Sequence, residues 1–306
     1  MALEYAKVLQ AQNISFEIIG NRPEKLNEFK KIYPNVKTYE GGYELYLQNY
    51  KPLDNVIIAS SLETGYQAAK AFIINGAKNI LTEKPAGLCQ KEIDDLKTLA
   101  SNGNVRLLVA YNRRFYQSLK YARNLIEQDG GISSIHFEFT EWIHTIDQDK
   151  FLPHVLDKFL IGNSSHVIDT VFHLAGRPKE ISTIIKGNNI KWHTSGSIFC
   201  GSGITINDIP FSYHSNWESA GRWSIEILTL KHRIYLKPME KLSIQKLGSI
   251  AIEEMDKPYD IDINFKPGLY LQTEAFLKRI DSNLICTIEE HQANFEFYEK
   301  IAGYKS

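Results

Sequence analysis

The chain is expected to be an α/β protein: a doubly wound parallel sheet, then an α+β domain with a largely antiparallel open sheet. Three observations predict this. Through residues 1–115 short apolar runs alternate with amphipathic stretches, as in a parallel sheet wrapped by helices. From residue 116 onward half-buried strand patterns follow one another with few helices between them, which favours antiparallel pairing. The 306 residues, 43% hydrophobic and 23% charged, supply enough core for two domains, placed at 1–115 and 116–306.

In order, Ala2–Gln12 reads as a helix with Leu3, Ala6, Val8 and Leu9 on its apolar face, and Ser15–Ile19 as a strand closed by Gly20-Asn21. Arg22-Pro23-Glu24 opens a helix over Lys25–Tyr33, since proline suits a first helical turn. Val36–Thr38 is a short strand and Tyr43–Asn49 a short helix. Asn55–Ala59 is a strand expected to be buried on both faces, followed by Ser60-Ser61 and a helix from Gly65 to Asn75. Asn79–Leu81, a helix over Gln90–Ala100 and the strand Arg106–Ala110 complete the alternation.

Such a Rossmann-type sheet should open with a buried strand and a glycine-rich turn, where backbone N–H groups and a helix dipole hold a pyrophosphate. Here Met1 already stands at the first helix, and no Gly-x-Gly-x-x-Gly occurs anywhere. That first strand is central in the topology, so its loss exposes ladders on both neighbours. A misplaced start or a truncated gene is therefore expected rather than a functional design.

After a helix over Gln117–Gln128 and the break Asp129-Gly130-Gly131, Ile135, Phe137 and Phe139 alternate with His136, Glu138 and Thr140. Further strands are expected at Glu180–Lys186, Lys191–Cys200, Ile204–Asn207, Phe211–Trp217, Trp223–Leu230 and Arg233–Leu236. Helices around 151–175 should cover one face of this sheet. The other face should carry Trp and Tyr residues and offer a subunit interface. Helices return at Tyr270–Asp281 and Thr287–Ala302, free to pack back on the first domain.

Lys and Arg number 35 against 36 Asp and Glu, a balance that argues against nucleic acid or an anionic membrane as partner. No apolar run approaches a membrane span, and no signal peptide is expected. Cys89, Cys200 and Cys286 show neither disulfide nor zinc spacing, which fits a reducing cytoplasm.

Two stretches carry chemistry. In Asn79–Gly87 an apolar run ends in Glu83-Lys84-Pro85, the pattern of a buried strand delivering charge to its carboxyl edge, where open parallel sheets bind ligands. A lysine there can bond a substrate hydroxyl and stabilise the alkoxide that forms as hydride leaves carbon. On their own, Glu83 and Lys84 read equally as solvated loop charges.

In Gly162–Gly176, Asn163 or Ser164 suits an N-cap and Gly176 a terminator, and His166, Asp169 and His173 share one helical face. His166 in a first turn would stay neutral and serve as a base. The alternative is a polar face bonded to neighbouring loops. No third and fourth ligands stand at metal spacing, so no metal is expected.

Glu83–Gly87, Tyr111-Asn112-Arg113-Arg114-Phe115 and His166-Val167-Ile168-Asp169 resemble, in order and spacing, the glucose–fructose oxidoreductase/inositol dehydrogenase (Gfo/Idh/MocA) family, and the domain sequence fits over nearly the whole chain. The resemblance implies NAD(P)-dependent oxidation or reduction of a sugar, cyclitol or sugar nucleotide by a homodimer or homotetramer. It implies that Lys84 and His166 are catalytic and that Asn112 and Arg113 line the cofactor–substrate cleft. Three departures accompany it. The glycine-rich loop is absent, Gly162 stands where many members carry an Asp four residues before the histidine, and Thr64-Gly65 stands near a frequent His. Asn163 or Asp169 is then expected to orient the base.

Asn21 and Arg22, after the first visible strand, replace the acid that would bind ribose hydroxyls, and a guanidinium there suits a 2′-phosphate. The expected cofactor is therefore NADP(H) or NAD(H), with a lean to the former. Ala59, Ser60 and Ser61 line the adenosine side, and Glu83, Lys84, Tyr111 and Asn112 the nicotinamide side. The expected substrate contacts are Lys84, Arg113, Trp142, Asn163, His166 and Asp169, with His144 and Lys158 as further donors. The alternatives are a non-catalytic ligand sensor on the same fold, favoured by the missing phosphate loop, and lyase or glycosidase chemistry with a transiently reduced cofactor.

Overall fold

Helix α1 (Ala2–Ala11) buries Tyr5, Ala6, Val8 and Leu9. Tyr5 takes the place expected for Leu3, which is 45% exposed. The strands β1 (Glu17–Gly20), β2 (Lys37–Glu40), β3 (Asn55–Ile58), β4 (Asn79–Glu83) and β5 (Arg106–Ala110) alternate with α2 (Pro23–Ile32), α3 (Gly42–Asn49), α4 (Gly65–Ile74) and α5 (Gln90–Asn102). Pro23 stands in the first turn of α2, where its missing N–H has no intrahelical partner to lose.

This computed structural model describes residues 1–280 and 283–304, which divide into two compact units. The first unit is Met1–Ala110 with Leu269–Glu289; the second is Tyr111–Gly268 with the segment from Glu290. The division thus falls after Ala110, five residues before the expected boundary, and residues 269–289 belong to the first unit.

The parallel strands of the first unit form two separate ladders. One pairs β1 with β2; the other runs β14-β5-β4-β3, where β14 (Cys286–Thr287) lies antiparallel to β5. This pairing leaves β3 with a neighbouring strand on one side among the described residues. It also corrects one expectation: β3 is not buried on both faces. With β4 as its one partner, β3 leaves Val56 and Ile57 half-buried and Asn55 exposed, whereas Asn79–Thr82 of β4, paired on both edges, are all buried.

In the second unit, α6 (Gln117–Gln128) leads to β6 (Ser134–Glu138). Then come α7 (Pro153–Leu156), a π-helical turn at Leu160–Ser164, and α8 (Ser165–Ala175). The strands β7 (Pro178–Lys186), β8 (Ile198–Thr205), β9 (Pro210–Asn216), β10 (Ser224–Leu228), β11 (His232–Leu236), β12 (Ser243–Lys246) and β13 (Glu253–Glu254) follow, and α9 (Asp260–Asn264) closes the stretch. Together with β6 they form one eight-stranded sheet, antiparallel except where β6 pairs with β9.

Its covered face buries Ile135, Phe137, Phe199, Phe211, Tyr213, Ile225, Ile227 and Ile234. The open face does not carry the expected tryptophans. Trp217 and Trp223 are 4% and 7% exposed, and the open face instead presents His214, Arg233, Tyr235 and Ile184. Residues 191–197 form turns rather than a strand, and of 204–207 the first two end β8 while 206–207 form a turn; Gly201 and Gly203 leave room for the Tyr213 and Phe211 rings against β8. The short β12, β13 and β14 carry too little periodicity to be read from sequence. Helix α10 (Leu269–Lys278) and α11 (Ile288–Ala302) match the last two expected helices, though Asp281 lies outside the described residues.

Candidate functional site

In the first unit, Ala59, Ser60 and Ser61 follow β3, and Lys84 follows β4, at one edge of the sheet; Glu83 is in register with Ala110 of β5. Glu83 and Lys84 are half-buried, the Lys84–Pro85 bond is cis, and the Ala86 N–H closes the turn onto the Glu83 carbonyl at 3.1 Å. The Tyr5 hydroxyl of α1 donates to Glu83 Oε1 at 2.9 Å. Burial, with the Glu83 charge beside it, raises the Tyr5 phenol well above its ordinary value, so it remains a donor. Tyr5 was not legible as a site residue, since a tyrosine on an apolar helix face reads as core.

Asn21 and Arg22 stand exposed after β1, and Arg22 has no ion pair among the described residues. Ser60 and Ser61 are likewise exposed. This donor set fits the ribose and phosphate on the adenosine side of a dinucleotide. The described residues hold no glycine-rich backbone cradle for the pyrophosphate.

In the second unit, the sequence motif around residue 113 meets the α8 motif. Arg113 Nη1 lies 2.8 Å from His166 Nε2. A guanidinium has only donors, so Nε2 must present its lone pair and the neutral ring carries its proton on Nδ1. Tyr111 packs edge-on to the imidazole at 5.8 Å, and Trp223 lies 6.0 Å away. His166 itself is 5% exposed.

The expected local setting of His166 needs correction. Neither Asn163 nor Ser164 caps α8; the π-helical turn runs into the helix, so His166 lies within a continuous helical stretch. Asn163 Nδ2 and Ser164 Oγ instead donate to Glu141, at 3.0 and 2.6 Å. The extra residue of a π turn turns both side chains toward this carboxylate, itself 3% exposed.

Asp169, expected to orient the histidine or meet substrate, turns its oxygens to Arg114 and Tyr298. It is fully buried, accepting from Arg114 Nε at 2.7 Å and Nη2 at 2.6 Å and from the Tyr298 hydroxyl at 3.3 Å. Burial raises this carboxyl while Arg114 opposes the shift. Arg114, 0% exposed, also donates to both oxygens of Glu290. His173 is held neutral: desolvation, aided by Arg114 and Arg123, pushes it down to about 3.

Trp142, 49% exposed, donates from Nε1 to the Gly221 carbonyl at 2.9 Å, and Arg222 rests over both Trp142 and Trp223 at 4.7 and 4.8 Å. Arg222 also reaches Glu141 Oε2 at 3.4 Å. A side chain at Gly221 would collide with Glu138 and Thr140, so a glycine lets this loop approach β6. Lys158 turns elsewhere, lying 4.0 Å from the centre of the Tyr304 ring. Sequence reading missed Glu141, Arg222 and Trp223; an adjacent Arg-Trp pair at a strand start was the available signal. Among the described residues no group of three His, Cys, Asp or Glu could hold a metal, and no helix is long and apolar enough to cross a membrane.

No family model matches the chain. It is 27% identical over 143 residues to a trans-1,2-dihydrobenzene-1,2-diol dehydrogenase of Xenopus laevis, a match covering 46% of this chain and 41% of that protein. It is 26% identical over 185 residues to the scyllo-inositol 2-dehydrogenase (NADP(+)) IolW of Bacillus subtilis, covering 57% and 48%. The chain thus spans less than half the length of either curated relative it matches. Among solved structures, the dehydrogenase MviM of Clostridium difficile superimposes with a TM-score of 0.78 at 20% identity, over 99% of this chain and 95% of that one. That likeness shows the fold.

Proposed function

We propose that this chain, Gfo/Idh/MocA-like in its relatives and its fold, is an NAD(P)-dependent oxidoreductase acting on the carbinol of a sugar or cyclitol. The observation that carries the reading is the imidazole of His166, which the Arg113 guanidinium at 2.8 Å holds in the tautomer whose Nε2 carries a lone pair rather than a proton. His166 Nε2 takes the hydroxyl proton, and the Lys84 ammonium stabilises the charge that develops on the carbinol oxygen. Arg113, Trp142 and Asn163 orient the substrate around that bond. The cofactor, NADP(H) in preference to NAD(H), supplies a hydride acceptor or donor when bound. Asn21 and Arg22 hold its adenosine ribose phosphate, and Ala59, Ser60 and Ser61 line the adenosine. Glu83, Lys84, Tyr111 and Asn112 bound its nicotinamide side. A sugar nucleotide is a further substrate of the same class. The protein works in a reducing cytoplasm as a homodimer or homotetramer.

The test is NADPH formation by the purified protein over a panel of sugars and cyclitols, with Lys84→Ala alongside. Turnover should fall at least about a hundredfold in the variant while its melting temperature holds. Equal turnover removes Lys84 from the chemistry. A second reading is a ligand sensor on this fold. It predicts sugar binding without NADPH formation from any member of the panel.

A further inference from the structure

We infer that the ligand of the His166 site carries an anionic group, a carboxylate or a phosphate, received by Arg113 and Arg222 beside Trp223. The inference rests on the reading of His166 as the base of a carbinol oxidation, and deepens it by naming the substrate class.

Both guanidiniums lie over the Trp223 ring, at 5.0 Å for Arg113 and 4.8 Å for Arg222. Glu141, which meets Arg222 at 3.4 Å, already accepts from Asn163 and Ser164. Arg113 forms no ion pair among the described residues; its Nη1 donates to two neutral groups, Asn112 Oδ1 at 2.9 Å and His166 Nε2. Arg113 Nε and Trp223 Nε1 are buried without a hydrogen-bond partner among the described residues. A half-buried guanidinium with neutral partners and a buried, unused Nε donor is costly unless a ligand completes the set.

The contact with His166 gives this excess charge a consequence. Arg113 Nη1 occupies the lone pair that must receive the substrate proton. A neutral polyol has to compete with the guanidinium for Nε2. An anionic group draws Arg113 onto itself, because charge-assisted, bidentate guanidinium bonds are about twice as strong as a bond to a neutral acceptor. Occupying the anion site therefore uncovers the base, so the same event that binds an acidic sugar readies His166.

The test is tryptophan-fluorescence titration of the cofactor-free protein with glucuronate, glucose 6-phosphate and glucose, each followed by an NADPH-formation assay. Trp223→Phe identifies the reporting ring. At least one anionic sugar should bind at least tenfold more tightly than glucose, and the tighter of the two tells carboxylate from phosphate. Arg222→Ala should abolish that preference, and Arg222→Lys, which keeps the charge, should restore part of it. Equal affinity for all three sugars overturns the inference, as does a preference that survives Arg222→Ala together with Arg113→Met. Anion preference without NADPH formation would leave this ligand site standing and remove the oxidoreductase reading. NADPH formation from neutral sugars with no anion preference would do the reverse.

Discussion

Arg113 Nη1 stands 2.8 Å from His166 Nε2, and this contact fixes which nitrogen of the imidazole bears its proton. The imidazole proposed as the base is thereby held in the accepting tautomer by a residue fifty-three positions away in sequence. Nitrogen-detected NMR of the imidazoles should show His166 protonated on Nδ1 and bare on Nε2. A proton on Nε2 would show that Arg113 does not govern the ring.

The fully buried Arg114 ties Asp169 of α8 to Glu290. Arg114→Met should leave Asp169 as an uncompensated buried charge and cost about 3–5 kcal/mol of stability in urea unfolding. Pairing it with Asp169→Asn should recover a large part of that loss. Additive losses in the double variant would mean that the two side chains do not act as a pair.

His173 gives the stability a defined pH dependence. Its folded value of about 3 lies below the ordinary 6.5, so the unfolded chain takes the proton first. The stability this neutral ring contributes is complete above about 6.5 and is lost as the pH falls toward 3. Between about pH 7.5 and pH 5 the native state should lose at most about 2 kcal/mol more than a His173→Gln variant does. Parallel pH curves for the two proteins in urea unfolding would contradict this.

The separate ladders of the first unit predict uneven protection. Amides of β4, paired on both sides, should exchange slowest, and those of β1 and β3 well before them. Hydrogen exchange followed by mass spectrometry reads this directly. Protection of β3 equal to that of β4 would show that its free edge is covered in solution.

The alternation of β3, α4, β4, α5 and β5 was legible because each strand is an apolar run and each helix an amphipathic stretch closed by polar or glycine residues. Glu83-Lys84 could be placed at a strand end for the same reason. The surroundings of His166 were not legible. Nothing in Gly162–Ser164 announces a π turn, and the reach of both Asn163 and Ser164 to Glu141 depends on it. Asp169 looked like a site residue because one helical face carried it with His166, yet Arg114 takes its oxygens. Adjacent arginines meet different fates: Arg113 reaches the histidine and Arg114 the core. Helical spacing alone does not separate such roles, since the partners come from elements distant in sequence.

Deuterium transfer tests the proposed chemistry most directly. A sugar or cyclitol labelled on its carbinol carbon is incubated with oxidised NADP and the purified protein, and the reduced nicotinamide is analysed for label. Deuterium should reach the nicotinamide ring with the wild-type protein and at least about a hundredfold more slowly with Lys84→Ala and with His166→Ala. Reduced cofactor without label, or equal transfer rates in all three proteins, would contradict the proposal that His166 and Lys84 act on the oxygen of one carbinol.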